Sequence, residues 1–177
     1  MLYLLDANTL INAKRDYYQF SRVPEFWDWL IFHGQNGNIK IPIEVYEEFK
    51  DATDKNGEKD LLAAWAEETA TKQSLVLDEK SEMIFVSKVL YEGYITNPTE
   101  DDIEKVGRDP FLIAHAFRDP RKRCVVTAEV SKPSRKGASR HIPDVCNFFG
   151  IKNCNLFSMI SALNFSTQWR ASSGRIP

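Results

Sequence analysis

The chain has 177 residues, 43% of them hydrophobic, and its 23 basic and 25 acidic side chains leave a net charge of −2 that singles out no class of partner. Three cysteines (Cys124, Cys146, Cys154) with no CxxC pair and three histidines far apart in sequence argue against a disulfide scaffold and against zinc. No stretch approaches 18 uncharged apolar residues, and the N-terminal apolar run is too short and lacks a basic lead for a signal peptide, so the expectation is a soluble cytoplasmic protein with no membrane contact.

In chain order, LYLLD (2–6) reads as a buried strand that ends on a carboxylate. PEFWDWLIFH (24–33) carries Phe26, Trp29, Leu30 and His33 at helical spacing, and Asn36-Gly37 then turns the chain into a second short strand, NIKIP (38–42). Pro42 opens the helix IEVYEEFK, with Val45 and Phe49 four apart on one face. The polar run 51–60 leads to a helix over 61–72, a short strand SLVLD (74–78) and a helix through Leu90. Thr99 and Asp102 form a capping signal in NPTEDDIEKV, RDPFLIAHAFRD (108–119) is a short helix, and RCVVTAE (123–129) is a strand rich in β-branched residues. IPDVCNFFG (142–150) is helical and stops at Gly150. Residues 164–177 are polar and predict a flexible tail.

Short apolar strands alternating with helices predict an α/β fold, a three-layer α/β/α sandwich around a parallel sheet of four to five short strands. The organisation is a single domain over 1–163 with a helix-rich lobe over about 51–106. In such sheets ligands bind beyond the carboxyl ends of the strands, where strand order reverses. That rule places Asp6 after the first strand, and Thr127 and Glu129 after VVTAE.

Each acid also has a plain structural reading. Asp6 suits the cap of the helix starting near Ala7, and Asp109 before Pro110 sits where an N-cap belongs. Glu44, Glu47 and Glu48 could lie on an exposed helix face. Glu129 follows a strongly apolar strand with no helix beginning there for it to cap.

Taken together, LLDANTLI, the glutamate of YEEFK, RDPFLIAHA and VVTAE resemble, in that order, the motifs of the PIN-domain nucleases, from Met1 to about Leu156. The resemblance implies a metal-dependent endoribonuclease whose ligands and catalytic residues are Asp6, Glu48, Asp109 and Glu129. Glu48 is preferred to Glu47 because it immediately precedes the apolar Phe49. Position 129 departs from the family, which commonly has Asp there. Asn8, Thr127 and Asp144 fall in the next layer, orienting ligands or water. The implied cofactor is Mg²⁺ or Mn²⁺, because hard ions take carboxylate oxygens and need neither Cys nor His. Small members of the family are commonly toxins held by an antitoxin and often dimeric, so the resemblance also implies an antitoxin protein and a homodimer as partners beside RNA.

The charge is unevenly spread. From Arg118 to His141 eight basic residues face two acids, and Lys132, Arg135, Lys136 and Arg140 form a basic loop directly after Glu129. Such a run is either a solvated face or a grip on phosphates. Tyr17, Tyr18 and Phe20 either stack unpaired bases or line a join between helices. Two rival readings compete with the nuclease: a PIN-like domain that binds RNA or protein without cutting, and a haloacid-dehalogenase-type phosphatase. The second is weakened because Asn8 stands where that family has its general acid–base Asp.

Overall fold

In the computed structural model, which describes residues 1–173, four parallel strands form one sheet in the order β2-β1-β3-β4 with helices packed around it, a three-layer α/β/α architecture. The strands are β1 (Leu2–Leu5), β2 (Ile39–Lys40), β3 (Arg123–Val126) and β4 (Lys152–Cys154). β1 and β3 are the central pair, in register from Leu2 opposite Arg123 to Leu5 opposite Val126. Leu4, Leu5, Val125 and Val126 are fully buried, as expected of strands covered on both faces.

The helices follow in chain order. α1 (Ala7–Asn12) continues as a π-helical turn over Ala13–Tyr17, and α2 (Pro24–Gln35) and α3 (Ile43–Phe49) come next. α4 (Leu61–Glu67) and α5 (Thr69–Leu75) replace the single helix expected over 61–72. The chain breaks at Glu68, whose backbone is extended (ψ 132°). α6 (Met83–Lys88) runs into a second π-helical turn, Val89–Tyr94, and α7 (Glu100–Val106) carries the predicted capping box between Thr99 and Asp102. α8 (Asp109–Phe117), α9 (Ile142–Phe148), α10 (Leu156–Ala162) and α11 (Trp169–Ser173) complete the described residues.

Two further expectations differ. SLVLD is not a strand: α5 runs to Leu75, and only Val76 pairs, in a single parallel bridge with Ile41 beyond β2. The end of the chain up to Ser173 is not a free tail. Phe165 packs on Trp29, and Trp169 is buried against Phe32 while its indole N–H donates to the Glu25 carbonyl. Residues 174–177 of the expected tail lie outside the described residues.

α2 and α5 meet at Gly34. A Cβ there would stand 2.7 Å from the Ser74 carbonyl oxygen and 2.7 Å from Leu75 Cδ2, so one helix backbone closes directly on another. Gly34→Ala is expected to lower stability by about 2 kcal/mol in urea unfolding, because overpacking outweighs the gain in helix propensity. An unchanged or higher midpoint would show that the two helices can part without cost.

Candidate active site

Strand order reverses between β1 and β3, and the two chain segments leaving them are stitched together at that point. The Asp6 N–H donates to the Val126 carbonyl at 2.9 Å, and Thr9 Oγ1 donates to the same carbonyl at 3.1 Å. Asp6 is buried. It occupies the N-cap position of α1 without a well-formed side-chain capping hydrogen bond, the Asn8 N–H acting on it only weakly. Its Oδ2 instead accepts from Thr127 Oγ1 at 2.9 Å, and Thr127 Oγ1 in turn accepts from the Glu129 N–H at 3.1 Å. One buried threonine thus fixes the acid after β1 relative to the acid after β3.

Asp109 arrives from a third element. Arg108, not Asp109, takes the cap position of α8, so the capping explanation of Asp109 fails. Its carboxylate is turned toward Tyr94, whose hydroxyl donates to Oδ2 at 3.2 Å. The turn that delivers it passes through Gly107 at φ +57°, a conformation costly for residues with a Cβ. Glu48 comes from α3: its Oε1 would lie 3.9 Å from a Cβ added at Gly107, on the solvent side of the group.

The charges of the group bear on its two buried members, Asp6 and Asp109. Burial pushes the Asp6 carboxyl up to about 7; the Thr127 hydrogen bond opposes this, the charges of Glu48 and Glu129 add to it, and the Asn8 N–H pulls back weakly. Asp109 is driven well above the ordinary carboxylate range, first by desolvation, then by the charges of Asp6 and Glu129, with Glu48 acting less and Tyr94 opposing. Glu48 is raised by desolvation and drawn back by the Arg108 backbone N–H and guanidinium. Neither Asp6 nor Asp109 has an ion pair or a hydrogen bond to an arginine or lysine among the described residues.

Carboxylates from four separate elements, two of them strongly desolvated and none neutralised by a close ion pair, form an all-oxygen donor set of the kind hard divalent cations take. In chemistry this set fits Mg²⁺ or Mn²⁺. In geometry it is open: among the described residues no three Asp, Glu, His or Cys side chains stand in ready ligand positions. Part of the reason is visible in Glu129. Its Oε2 accepts from the Ile142 N–H at 2.7 Å, so this acid, expected to have no helix to cap, caps α9 from a distance.

The remaining expected residues divide. Thr127 is where an orienting residue belongs. Asn8 is exposed, and its side chain makes no hydrogen bond among the described residues. Asp144 stands apart and accepts from Ser131 Oγ and from the Lys132 N–H at 2.7 Å, pinning the basic loop rather than the acids. Arg140 is likewise structural: it donates to the carbonyls of Gly93 and Asp144, and its guanidinium lies over the Phe148 ring. Lys132, Arg135 and Lys136 are exposed and have no ion pair among the described residues. The loop is tied down through His141 Nδ1 and the Val130 carbonyl at 2.7 Å and through Lys105 and Ser139 Oγ at 2.7 Å. Arg118 and Arg123, also in the basic run, are spent on Glu79.

Beside Glu129 lies a cleft of about 420 Å³ between the ends of β3 and β4 and the π-helical turn after α1. A second polar group stands elsewhere, where Ser81 and Glu44 both meet Nε2 of the buried His115. A hydrolytic relay needs the acid and the nucleophile on opposite ring nitrogens, so this group is a satisfied core histidine.

A family model described as a domain of unknown function (DUF4411) matches residues 3–167. The chain belongs to the DUF4411 family. It matches no curated protein and no solved structure. The matched span of this DUF4411 domain includes all four acids, the basic loop and the cleft, and it runs on past the expected domain end at 163 to take in Phe165. Nothing in the sequence singles out Tyr94 or the cleft residue Phe157. Tyr94 is reached only through the tertiary fold, 15 residues from Asp109.

Proposed function

We propose that this chain is a metal-dependent ribonuclease. The observation that carries the reading is the meeting of four acids at the strand-order reversal, where the charges of Glu48 and Glu129 act on the buried Asp6 and Asp109 and no cation is paired to either. The likeness of the same residues to the PIN-domain pattern supports it independently.

Asp6, Glu48, Asp109 and Glu129 would hold the ion. When bound, Mg²⁺ or Mn²⁺ would make a water easier to deprotonate, and so nucleophilic toward a phosphodiester, and would supply positive charge for the leaving oxygen. Thr127 keeps Asp6 oriented and Tyr94 keeps Asp109 oriented, each by donating to one carboxylate oxygen. Lys132, Arg135 and Lys136 stand along the loop leaving Glu129, placed to meet the phosphates of an extended strand. Pairing with an antitoxin and assembly as a dimer rest on the PIN resemblance alone.

The open ligand geometry favours one rival, a domain that binds RNA without cutting it. Incubating purified protein with a fluorescent single-stranded RNA separates the two. Cleavage in Mn²⁺ that is lost in EDTA supports the ribonuclease; retention of RNA with no cleavage in either condition supports the binding domain. The Lys132→Ala/Lys136→Ala variant is expected to bind RNA more weakly and to flatten the dependence of log K on log salt by about 1.4, roughly 0.7 for each single-strand phosphate that the two lysines no longer neutralise. An unchanged slope would remove the loop from the interface.

The phosphatase alternative gains nothing from the fold. The exposed Asn8 amide offers no proton to shuttle, and a covalent phosphate on Asp6 would be its signature. No helix among the described residues is long and apolar enough to cross a membrane.

A further inference from the structure

Two kinds of group stand out in the lining of the cleft beside Glu129. Tyr17 and Phe157 stand half exposed and edge to face at one side, ring centroids 5.0 Å apart. They differ from Tyr18 and Phe20, which are stacked on Phe26 and Trp27 and do line a helix join. The other kind is a set of asparagine amides whose orientations are fixed by their partners. Asn155 Oδ1 accepts from the Ser158 N–H at 2.9 Å, and Asn12 Oδ1 accepts from the Arg15 guanidinium at 3.0 Å. Asn153 Nδ2 donates to the Ile151 carbonyl at 3.4 Å and to Asn147 Oδ1 at 2.9 Å. Because each of these oxygens is already accepting, Asn12, Asn147 and Asn155 are left with NH₂ groups that have no protein acceptor among the described residues, and all three line the cleft.

A cleft of this size falls in the range of about 300–1,000 Å³ in which small-molecule sites lie. An exposed aromatic at its wall and unspent donors across it suit a flat ring carrying carbonyl oxygens. Thr127 and Glu129 line it too, so its occupant lies directly beside the acid cluster.

We propose that this cleft holds one nucleobase of the RNA strand, stacked on Tyr17, and prefers uracil, which presents two carbonyl oxygens, over adenine, which presents none. The proposal rests on the ribonuclease reading for its substrate class but not for its test.

The test is made in EDTA, where no cleavage occurs. Side-chain amide signals of Asn12, Asn147 and Asn155 are followed by NMR while UMP, CMP, GMP or AMP is added. UMP is expected to move all three signals and to saturate at the lowest concentration, AMP at the highest, with the single-carbonyl CMP and GMP between. Tyr17→Ala weakens UMP binding about tenfold, as loss of a stacking face does, and Tyr17→Phe retains it. AMP or ribose 5-phosphate binding as tightly as UMP overturns the proposal, as does a Tyr17→Ala variant that binds UMP normally. A protein that binds UMP here yet cuts no RNA loses the nuclease reading and keeps the pocket. One that cuts RNA and ignores UMP loses the pocket alone.

Discussion

Asp6→Asn will stabilise the metal-free protein at pH 8 by about 2 kcal/mol and destabilise it by about as much at pH 4, where the wild-type carboxyl is already protonated and only the cost of burying the amide remains. The sign follows from the direction of the shift. The Asp6 carboxyl sits near 7 in the fold against 3.8 when unperturbed, so folding takes up a proton between those values and stability falls as pH rises through that window. A shift of that size corresponds to about 4 kcal/mol at most. Part is returned in the variant, because the new amide keeps the Thr127 hydrogen bond but buries an NH₂ group that lacks an acceptor. Asp109 acts in the same direction as Asp6. Asp60, Asp102 and Asp144 are held below their ordinary values, so what they contribute is lost as pH falls through the acid range. The metal-free wild type should therefore be most stable near pH 5 and weaken toward pH 8. Saturating Mn²⁺ should reverse that slope at neutral pH and raise the melting temperature by about 5–10 °C, the effect of a ligand at roughly a hundredfold over its Kd, while leaving Asp6→Asn unmoved. Thermal unfolding across pH, with Mn²⁺ or EDTA, gives all of this in one set of curves. A variant that is destabilised at pH 8, together with a wild type indifferent to Mn²⁺, would make Asp6 a structural residue.

The parts of the fold that sequence could supply are those where local pattern and burial agree. LYLL and RCVV are β-rich apolar runs, and they form the two central strands. Lys152–Cys154 escapes a reading of the sequence because an edge strand of three residues, one of them an exposed lysine, has neither a continuous apolar run nor a clean alternation. SLVLD misleads for the opposite reason. Leu75, Val76 and Leu77 form an apolar run that cannot be told from a buried helix end by periodicity, and α5 claims the first of them. The polar run after residue 163 hides Phe165 and Trp169, four apart, which is helical spacing with a hydrophobic purpose.

For the site, sequence could bring the four acids into one neighbourhood but not describe how they are held. Asp109 beside Pro110 looks like a cap because caps are a matter of local chemistry; its partner Tyr94 is supplied by a π-helical turn in another part of the chain. Glu129 looks uncommitted because α9, whose Ile142 N–H it receives, begins 13 residues later. Asp144 and Arg140 look functional because they are charged residues near a charged site, yet both are used to shape the loop between β3 and α9. Partners distant in sequence decide all of these cases, and no short motif contains them.

Asp109→Asn should lower RNA cleavage in Mn²⁺ by roughly a thousandfold, about 4 kcal/mol of transition-state stabilisation, while preserving the fold. Removing one carboxylate from a crowded group lowers both the charge available to a cation and the repulsion felt by Asp6, so the variant should melt no lower than wild type without metal. Tyr94→Phe separates orientation from ligation. It keeps the Asp109 carboxylate and deletes only the hydroxyl that donates to Oδ2, so the loss should be between about ten- and a hundredfold. That hydrogen bond favours the ionised form of Asp109, and without it the carboxyl moves further up. The acid limb of the pH–rate profile should accordingly shift to higher pH in Tyr94→Phe, a change that a purely structural tyrosine would not produce. A folded Asp109→Asn protein that cuts RNA at the wild-type rate would take this acid out of the chemistry. A Tyr94→Phe profile with an unmoved acid limb would leave Tyr94 as a core residue that merely touches the site.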